Sequence, residues 1–265
     1  MGINMVQVRC GQRWIADVEA IVFDKDGTLA DSHRLLHHTA VARAEACAAA
    51  VGAGDTLVRT LLACFGVTAS GIDPDGLMAA GTREANKQGA VAVLVQAGQP
   101  PEKATNLVAT CFAAVNAKRH GKAAQTPPFA GTAAMLKRLH QSPVKIGVLS
   151  SDSPAYVEEF LSYYDLMTWV HEWQGTGPED PPKPDPTLLR GLCDRLQVSV
   201  AHTLIVGDSW ADFALAKQAG AAGFISVSEP WGRSPVAGAS LVLSHWDNLA
   251  VITPGSPDFE TFTRP

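Results

Sequence analysis

The chain has 265 residues, of which 46% are hydrophobic and 18% charged, and this composition is typical of a globular protein. Its formal net charge is −5, and no block of Lys or Arg interrupts the mild acidity, so nucleic acid and anionic membranes are not expected as partners. No apolar run approaches the roughly 18 residues that a membrane helix needs, and residues 1–13 lack the pattern of a secretory signal. Five cysteines occur without a C-x-x-C pair, which favours reduced thiols in a cytoplasmic protein.

The first predicted elements are strands. Residues 6–10 alternate in polarity and are followed by the turn residues Gly11 and Gln12, which predicts a hairpin at the edge of a sheet. Residues 18–23 then become fully apolar, as in the centre of a parallel sheet. We therefore expect 18–23 to be the first strand of the core.

A long helical segment follows this strand. From residue 33 to about residue 120 the chain is rich in Ala and Leu. Apolar residues recur there at helical spacing: Leu36, Ala40, Ala44, Cys47 and Val51. Further helices are predicted near 76–97 and 101–118, and the strand-like run at 91–95 is interpreted as helix because of its flanks. The segment therefore predicts an all-helical domain inserted after the first core strand.

Strands and helices alternate over the rest of the chain. Apolar runs of strand length occupy 145–149, 203–206, 223–227 and 241–243. Helical stretches are predicted at 131–140, 154–163, 186–197 and 211–219. This alternation predicts an α/β fold whose core is a doubly wound, Rossmann-like parallel sheet.

The predicted elements divide the chain into three parts. The α/β core comprises 1–32 and 128–253, and the inserted helical cap comprises 33–127. Residues 254–265 are rich in Pro and are predicted to form a C-terminal tail.

Polar residues follow the predicted strands at the edge where doubly wound sheets bind their ligands. These residues, with one lysine from an adjoining Pro-rich loop, are Asp24, Asp26, Ser150, Ser151, Lys183, Asp208 and Asp212. Gly27 is expected to adopt a positive φ that lets the chain turn sharply after the first strand. The topology thus predicts carboxylates, hydroxyls and an ammonium at one edge of the sheet.

This combination of groups favours phosphoryl transfer. A carboxylate can attack a phosphate monoester only if negative charge is neutralised, and Asp24, Asp208 and Asp212 carry enough charge to hold Mg²⁺ through oxygen ligands. The metal and Lys183 would offset the repulsion between Asp24 and the phosphoryl group. Asp24 is therefore the expected nucleophile, and Asp26 is expected to protonate the leaving oxygen and later to deprotonate the attacking water.

The same residues form four motifs in a fixed order: D-x-D-G-T-L at 24–29, a strand followed by Ser150, K-P-x-P at 183–186 and G-D-S-x-x-D at 207–212. The set, which runs from about residue 20 to residue 248, resembles the phosphatase branch of the haloacid dehalogenase superfamily. With its helical cap after the first motif, the chain resembles phosphoglycolate phosphatases. An acidic residue at Asp26 favours phosphatases over dehalogenases and phosphonatases.

The resemblance implies further roles for single residues. It implies that the main-chain carbonyl of Asp26 and the carboxylate of Asp208 are direct metal ligands, and that Asp212 supports these ligands or contacts the metal through water. It also implies that Ser150, with Ser151 and main-chain N–H groups near residues 25, 26 and 151, binds the phosphoryl group. Lys25 stands where many relatives have an apolar residue, and we expect its side chain to point to solvent or to the cap.

Each of these residues could instead have a purely structural role. Asp24 and Asp26 could satisfy donors of a turn, and the serines at 150 and 151 could cap the following helix. Lys183 could be a solvated loop lysine, and Asp212 could only stabilise a helix N-terminus.

Two cations of the predicted cap are candidates for reading the substrate. Arg83 and Lys87 are spaced i, i+4 and would share one helix face, which suits an anionic leaving group. The alternative is a solvated face on which Glu84 relieves the repulsion between them.

Three functions remain open on the sequence alone. The first is hydrolysis of a small phosphorylated metabolite with Mg²⁺. The second is a sugar phosphomutase of the β-phosphoglucomutase type, which shares all four motifs. The third is a binding or regulatory protein that retains the fold without catalysis.

Overall fold

The computed structural model describes residues 5–117, 121–177, 179–228 and 234–259. The chain divides into two compact units, one of residues up to 31 and from 127 onward, the other of residues 32–126. Each division falls one residue before the boundary expected from the sequence.

The strands in chain order are β1 (Val6–Cys10), β2 (Arg13–Val18), β3 (Ala20–Phe23), β4 (Val67–Thr68), β5 (Gly71–Ile72), β6 (Lys145–Leu149), β7 (Glu172–Gln174), β8 (Thr203–Gly207), β9 (Gly223–Val227), β10 (Leu241–Leu243) and β11 (Leu249–Ile252). The α-helices are α1 (His33–Ala50), α2 (Asp55–Phe65), α3 (Leu77–Ala80), α4 (Arg83–Gln96), α5 (Pro101–Ala117), α6 (Thr132–His140), α7 (Pro154–Tyr163), α8 (Pro186–Leu196) and α9 (Trp210–Ala219).

The first unit is built on a six-stranded parallel sheet with the strand order β10-β9-β8-β3-β6-β7. The prediction of a doubly wound α/β core is therefore confirmed. β3 is central and fully buried because both of its faces are covered. Its side chains alternate between two hydrophobic clusters: Ile21 and Phe23 belong to one, and Ala20 and Val22 belong to the other.

The N-terminal hairpin forms as β1 and β2, but it does not extend the parallel sheet. β1 pairs with β2 on one side and with β11 on the other, which makes a separate three-stranded antiparallel sheet. The prediction of an edge hairpin is corrected accordingly, and Val18 belongs to β2 rather than to the first core strand. Of the predicted tail, residues 254–259 form turns and a bend, and 260–265 lie outside the described residues.

The second unit consists mainly of helices α1 to α5, which enclose a hydrophobic cluster that includes Leu61, Phe65, Leu94 and Phe112. The run at 91–95 is part of α4, as predicted. The unit is not entirely helical, because β4 and β5 form a short antiparallel hairpin after α2. None of the helices in the described ranges is long and apolar enough to cross a membrane.

Candidate active site

The candidate site lies at the carboxyl-terminal edge of the central strands. In the parallel register Phe23 of β3 lies opposite Val148 of β6 and Val206 of β8. The chain leaves β3 at Asp24, whose main-chain N–H donates to the carbonyl of Val206 at 2.8 Å. Because these strands run in the same direction, the polar residues that follow them emerge at one edge.

Lys183 is the centre of the polar network at this edge. Its ammonium donates to Asp24 Oδ1 at 2.6 Å, to Asp212 Oδ1 at 2.8 Å and to the carbonyl of Leu149 at 2.7 Å. These acceptors match the three N–H donors of an ammonium, and the lysine side chain is only 4% exposed. The alternative of a solvated loop lysine is therefore wrong.

Asp212 makes two contacts, one at a helix N-terminus and one in the polar network of Lys183. Its Oδ2 accepts from the hydroxyl of Ser209 at 2.6 Å, and the two residues form a capping box at the start of α9. Its Oδ1 faces Lys183. The cap fixes the rotamer of Asp212 and so aims one carboxylate oxygen at the lysine.

Three carboxylates meet around Lys183. Ligand oxygens of Asp24, Asp208 and Asp212 lie within 4.8 Å of one another, and all three residues are buried. One ammonium balances only part of this negative charge, and oxygen ligands so close together suit a hard divalent cation such as Mg²⁺. The residues present therefore fit a magnesium site. The carboxylate of Asp26 is not part of this cluster, although the role expected for Asp26 is that of a main-chain carbonyl ligand.

The pKa shifts within the cluster also favour a bound cation. Burial raises the pKa of Asp24 well above its ordinary value, against the opposing effect of Lys183, and the neighbouring Asp212 and Asp208 raise it further. Burial lowers the pKa of Lys183, but Asp212 and Asp24 outweigh it and hold that pKa above its ordinary value. The lysine is therefore charged, whereas the ionised form of Asp24 is disfavoured, and a bound cation would favour that form.

Two glycines make the close approach of these groups possible. Gly27 has φ +86°, as expected, and a Cβ there would lie 2.3 Å from Asp208 Oδ2. A Cβ on Gly207 would lie 2.6 Å from the side chain of Asp212. Any side chain at either position would displace a carboxylate of the cluster.

Lys25 does not point to solvent, and that expectation is wrong. Its side chain is fully buried, with Nζ 2.6 Å from Asp26 Oδ1 and 2.9 Å from Asp152 Oδ2. The ammonium also lies 5.4 Å from the centre of the Phe160 ring. Asp26 is 30% exposed at its side chain, so it stands at the border between this buried ion pair and the surface.

Ser150 is buried directly after β6. Its Oγ accepts from the main-chain N–H of Asp152 at 3.1 Å, and its carbonyl accepts from the hydroxyl of Thr176 at 2.9 Å. The residue that precedes α7 as its N-cap is Ser153, so the capping alternative for the serines at 150 and 151 is not observed. Ser151 is exposed beside this turn.

Arg83 and Lys87 belong to the second unit. Both lie on α4 and both are exposed. Lys87 Nζ is 3.9 Å from Glu84 Oε2, which is the contact expected if this face of the helix is solvated.

The contacts that hold these residues in place were not predicted from the sequence. Lys25 follows Ile21 and Phe23 at a spacing of two, which would have assigned it to their buried face. Asp152 lies shortly after the end of the neighbouring strand β6, and so it could have been proposed as the counter-charge of Lys25. The contact made by Thr176 could not be predicted from the sequence, because it depends on the non-local pairing of β7 with β6.

A family model for haloacid dehalogenase-like hydrolases matches residues 18–220. The chain belongs to this family. As a haloacid dehalogenase-like hydrolase, it carries the four motifs in the family's order and places them at one edge of the sheet. The matched segment contains all candidate site residues of both units.

Curated relatives and solved structures agree with this assignment. The chain is 31% identical to phosphoglycolate phosphatase of Rhodospirillum rubrum over 122 residues, which is 46% of the chain and 50% of that relative. It is 30% identical to phosphoglycolate phosphatase of Vibrio parahaemolyticus over 89 residues, which is 34% of the chain and 39% of that relative. The chain thus spans half or less of these two proteins.

The fold of this haloacid dehalogenase-like hydrolase also occurs in a crystal structure described as a "predicted phosphoglycolate phosphatase" from Haemophilus somnus. The TM-score is 0.60, with 18% identity over 86% of the chain and 95% of the other protein. At this level of identity the similarity concerns the fold.

Proposed function

We propose that the protein hydrolyses a small phosphomonoester in a magnesium-dependent reaction that passes through a phospho-aspartate at Asp24. The observation that carries this proposal is the buried cluster in which Lys183 contacts Asp24 and Asp212, with Asp208 beside them. The similarity to phosphoglycolate phosphatases supports the same reaction. It also favours a small carboxylated substrate such as phosphoglycolate.

Asp24 acts as the nucleophile. A carboxylate oxygen of Asp24 attacks phosphorus, a bond forms between them, and the bond from phosphorus to the ester oxygen breaks. Lys183 holds the carboxylate through its 2.6 Å contact to Oδ1 and keeps positive charge next to the reaction. Ser150, Ser151 and neighbouring main-chain N–H groups bind the transferring phosphoryl group.

Asp26 transfers the proton in both halves of the reaction. It gives its proton to the leaving oxygen in the first half, so that the alcohol departs neutral. In the second half it takes a proton from the water that attacks phosphorus. The bond from phosphorus to Asp24 then breaks, which restores the carboxylate of Asp24 and the protonated form of Asp26 and releases phosphate.

Mg²⁺ would be held by Asp24, Asp208 and the main-chain carbonyl of Asp26, with Asp212 in support. When bound, it supplies positive charge that offsets the repulsion between the attacking carboxylate and the phosphoryl group.

The test is release of p-nitrophenol from p-nitrophenyl phosphate and of phosphate from phosphoglycolate. We expect turnover with Mg²⁺, none with excess EDTA, and inhibition by Ca²⁺, which prefers more ligands at longer distances. The matched control is Asp24→Asn, which keeps the shape of the side chain and should lower kcat by at least about a thousandfold.

Three results would count against the proposal. Full activity in EDTA would exclude the metal-dependent route. An Asp24→Asn variant with more than about a tenth of the wild-type kcat would exclude Asp24 as the nucleophile. Turnover that requires a bisphosphorylated sugar would identify a phosphomutase.

A further inference from the structure

The mechanism above uses Asp26 but gives no part to the residue before it. Lys25 is nevertheless a fully buried lysine whose ammonium lies between two carboxylates, those of Asp26 and Asp152. Removal of a charged lysine from water is unfavourable unless close counter-charges compensate. Asp26 and Asp152 do compensate, because they hold the pKa of Lys25 above its ordinary value although burial lowers it. Lys25 is therefore a fixed cation inside the protein.

The three side chains differ in how far they are exposed, so one end of the contact is buried and the other lies near the surface. The side chains of Lys25, Asp152 and Asp26 are 0%, 17% and 30% exposed, respectively. The cation is anchored inside, against the ring of Phe160, and Asp26 is the member of the group that reaches the surface. The ammonium thus restricts the side-chain torsions of a carboxylate that borders the surface.

The main chain around Asp26 is already fixed. The carbonyl of Lys25 accepts from the N–H groups of Thr28, Leu29 and Ala30 at 3.3, 2.9 and 2.8 Å, which closes a tight turn. The remaining freedom of Asp26 is in its side-chain torsions, and the 2.6 Å contact from Lys25 restricts these.

We infer that Lys25 is a positioning residue for the proton transfer, and that it acts by holding the carboxylate of Asp26 in the place from which Asp26 serves the leaving oxygen. This inference rests on the proposed function. A displacement of about 1 Å in a reacting group can cost about a hundredfold in rate. A contact that fixes Asp26 can therefore affect kcat without touching the substrate.

The test compares esters with poor and good leaving groups. In the variant Lys25→Met combined with Asp152→Asn, the long side chain is kept beside Phe160 and no buried charge loses its partner. We expect kcat/KM for an alkyl phosphate, which reports the step in which the leaving group departs, to fall roughly ten- to a hundredfold. We expect a clearly smaller loss for p-nitrophenyl phosphate, whose leaving group needs little protonation, and KM within about twofold of wild type.

Two further variants separate the effect of changing Lys25 from that of changing Asp152. Asp152→Asn alone measures the cost of the second substitution and should lose less activity than the double variant. If the double variant does not fold, Lys25→Gln, which keeps a hydrogen-bond donor, replaces it. We then expect the same kind of difference between the losses for the two esters, but a smaller one.

A double-mutant cycle distinguishes positioning from a general structural role. If Lys25 acts through Asp26, then the Lys25→Met and Asp152→Asn changes should alter kcat less than about threefold in an Asp26→Ala background. Equal losses for both esters, or an undiminished loss in that background, would overturn the inference and leave the proposed function standing. A wild-type protein without phosphatase activity would overturn both.

Discussion

The charge balance around Lys183 dominates the site at the scale of single residues. One ammonium contacts two carboxylates of a cluster of three, and each of the four side chains is buried. Breaking a buried ion pair by removing one partner typically costs about 3–5 kcal/mol, so these residues depend on one another for stability as well as for chemistry. Asp26 stands outside this group, and its contribution can therefore be tested with less risk to the fold.

Replacement of Asp26 tests proton transfer directly. Asp26→Ala should lower kcat for an alkyl phosphate by about 10²–10⁴-fold, because both leaving-group protonation and water activation are lost. The loss should be smaller for p-nitrophenyl phosphate. Steady-state kinetics with the two esters provide the measurement through kcat/KM, which reports the first half of the reaction, and equal losses of kcat/KM would contradict the role assigned to Asp26.

The positions of the site residues were predictable from the sequence, whereas several of their contacts were not. Asp24, Lys183, Asp208 and Asp212 could be placed at one edge because each follows a strand or lies in a loop with a recognisable motif. The burial of Lys25 depends on α7 covering the face of β3, and a motif that ends at the strand does not contain this information. Lys25 was therefore assigned to solvent or to the cap although its two neighbours in the motif are aspartates.

At the scale of secondary-structure elements, prediction succeeded where hydrophobic periodicity was long and failed where elements were short. The core strands and the helices α6 to α9 lie within about one or two residues of the predicted bounds. β7 was missed because Glu172, Trp173 and Gln174 form a short strand at the sheet edge with no apolar run. The hairpin of β4 and β5 has two residues in each strand, too few for a pattern.

The edge strand β7 is preceded by a histidine that is expected to make stability depend on pH. Nδ1 of His171 accepts from the main-chain N–H of Ile146 at 3.0 Å, and its ring stacks on that of His140 with centres 4.9 Å apart. Burial, together with Lys145 and His140, lowers the pKa of His171 from 6.5 to about 4. The folded state thus binds a proton at this ring less readily than the unfolded state.

The sign of the effect follows from this difference. Below about pH 6.5 His171 binds a proton in the unfolded chain but not yet in the folded protein. The free energy of unfolding therefore falls as the pH falls toward 4. His171→Asn keeps an acceptor for Ile146 and removes the titration. We expect thermal denaturation to show a smaller decrease in Tm from pH 7.5 to pH 5 for the variant than for wild type. A variant with the same or a larger decrease would mean that His171 does not contribute.

At the scale of the whole molecule, chemistry and selectivity are assigned to different units. The parallel-sheet unit carries all residues proposed for the phosphoryl chemistry, so it acts on the group that all substrates share. The helical unit, inserted between β3 and α6, is the candidate for reading the rest of the substrate. Arg83 and Lys87 are the cations proposed for this role on α4.

Arg83→Ala tests this division. If Arg83 binds a carboxylate of the substrate, the variant should raise KM for phosphoglycolate several-fold more than KM for p-nitrophenyl phosphate and leave kcat for the latter unchanged. Lys103→Ala, which removes another exposed cation of the same unit, is the matched control. Equal responses to both substrates, or none, would support the alternative in which this face is only solvated.

The central claim is that Asp24 becomes phosphorylated, and chemical trapping tests it most directly. During turnover of p-nitrophenyl phosphate with Mg²⁺, the Asp26→Ala variant should accumulate the phospho-aspartate, because its first step needs little acid and its second lacks the base. Borohydride reduces an acyl phosphate to an alcohol, so mass spectrometry of the digested protein should show homoserine at position 24. The same treatment of a variant that also carries Asp24→Asn should give no homoserine. Homoserine at another position, or an unmodified Asp24 while p-nitrophenol is still being released, would contradict the account.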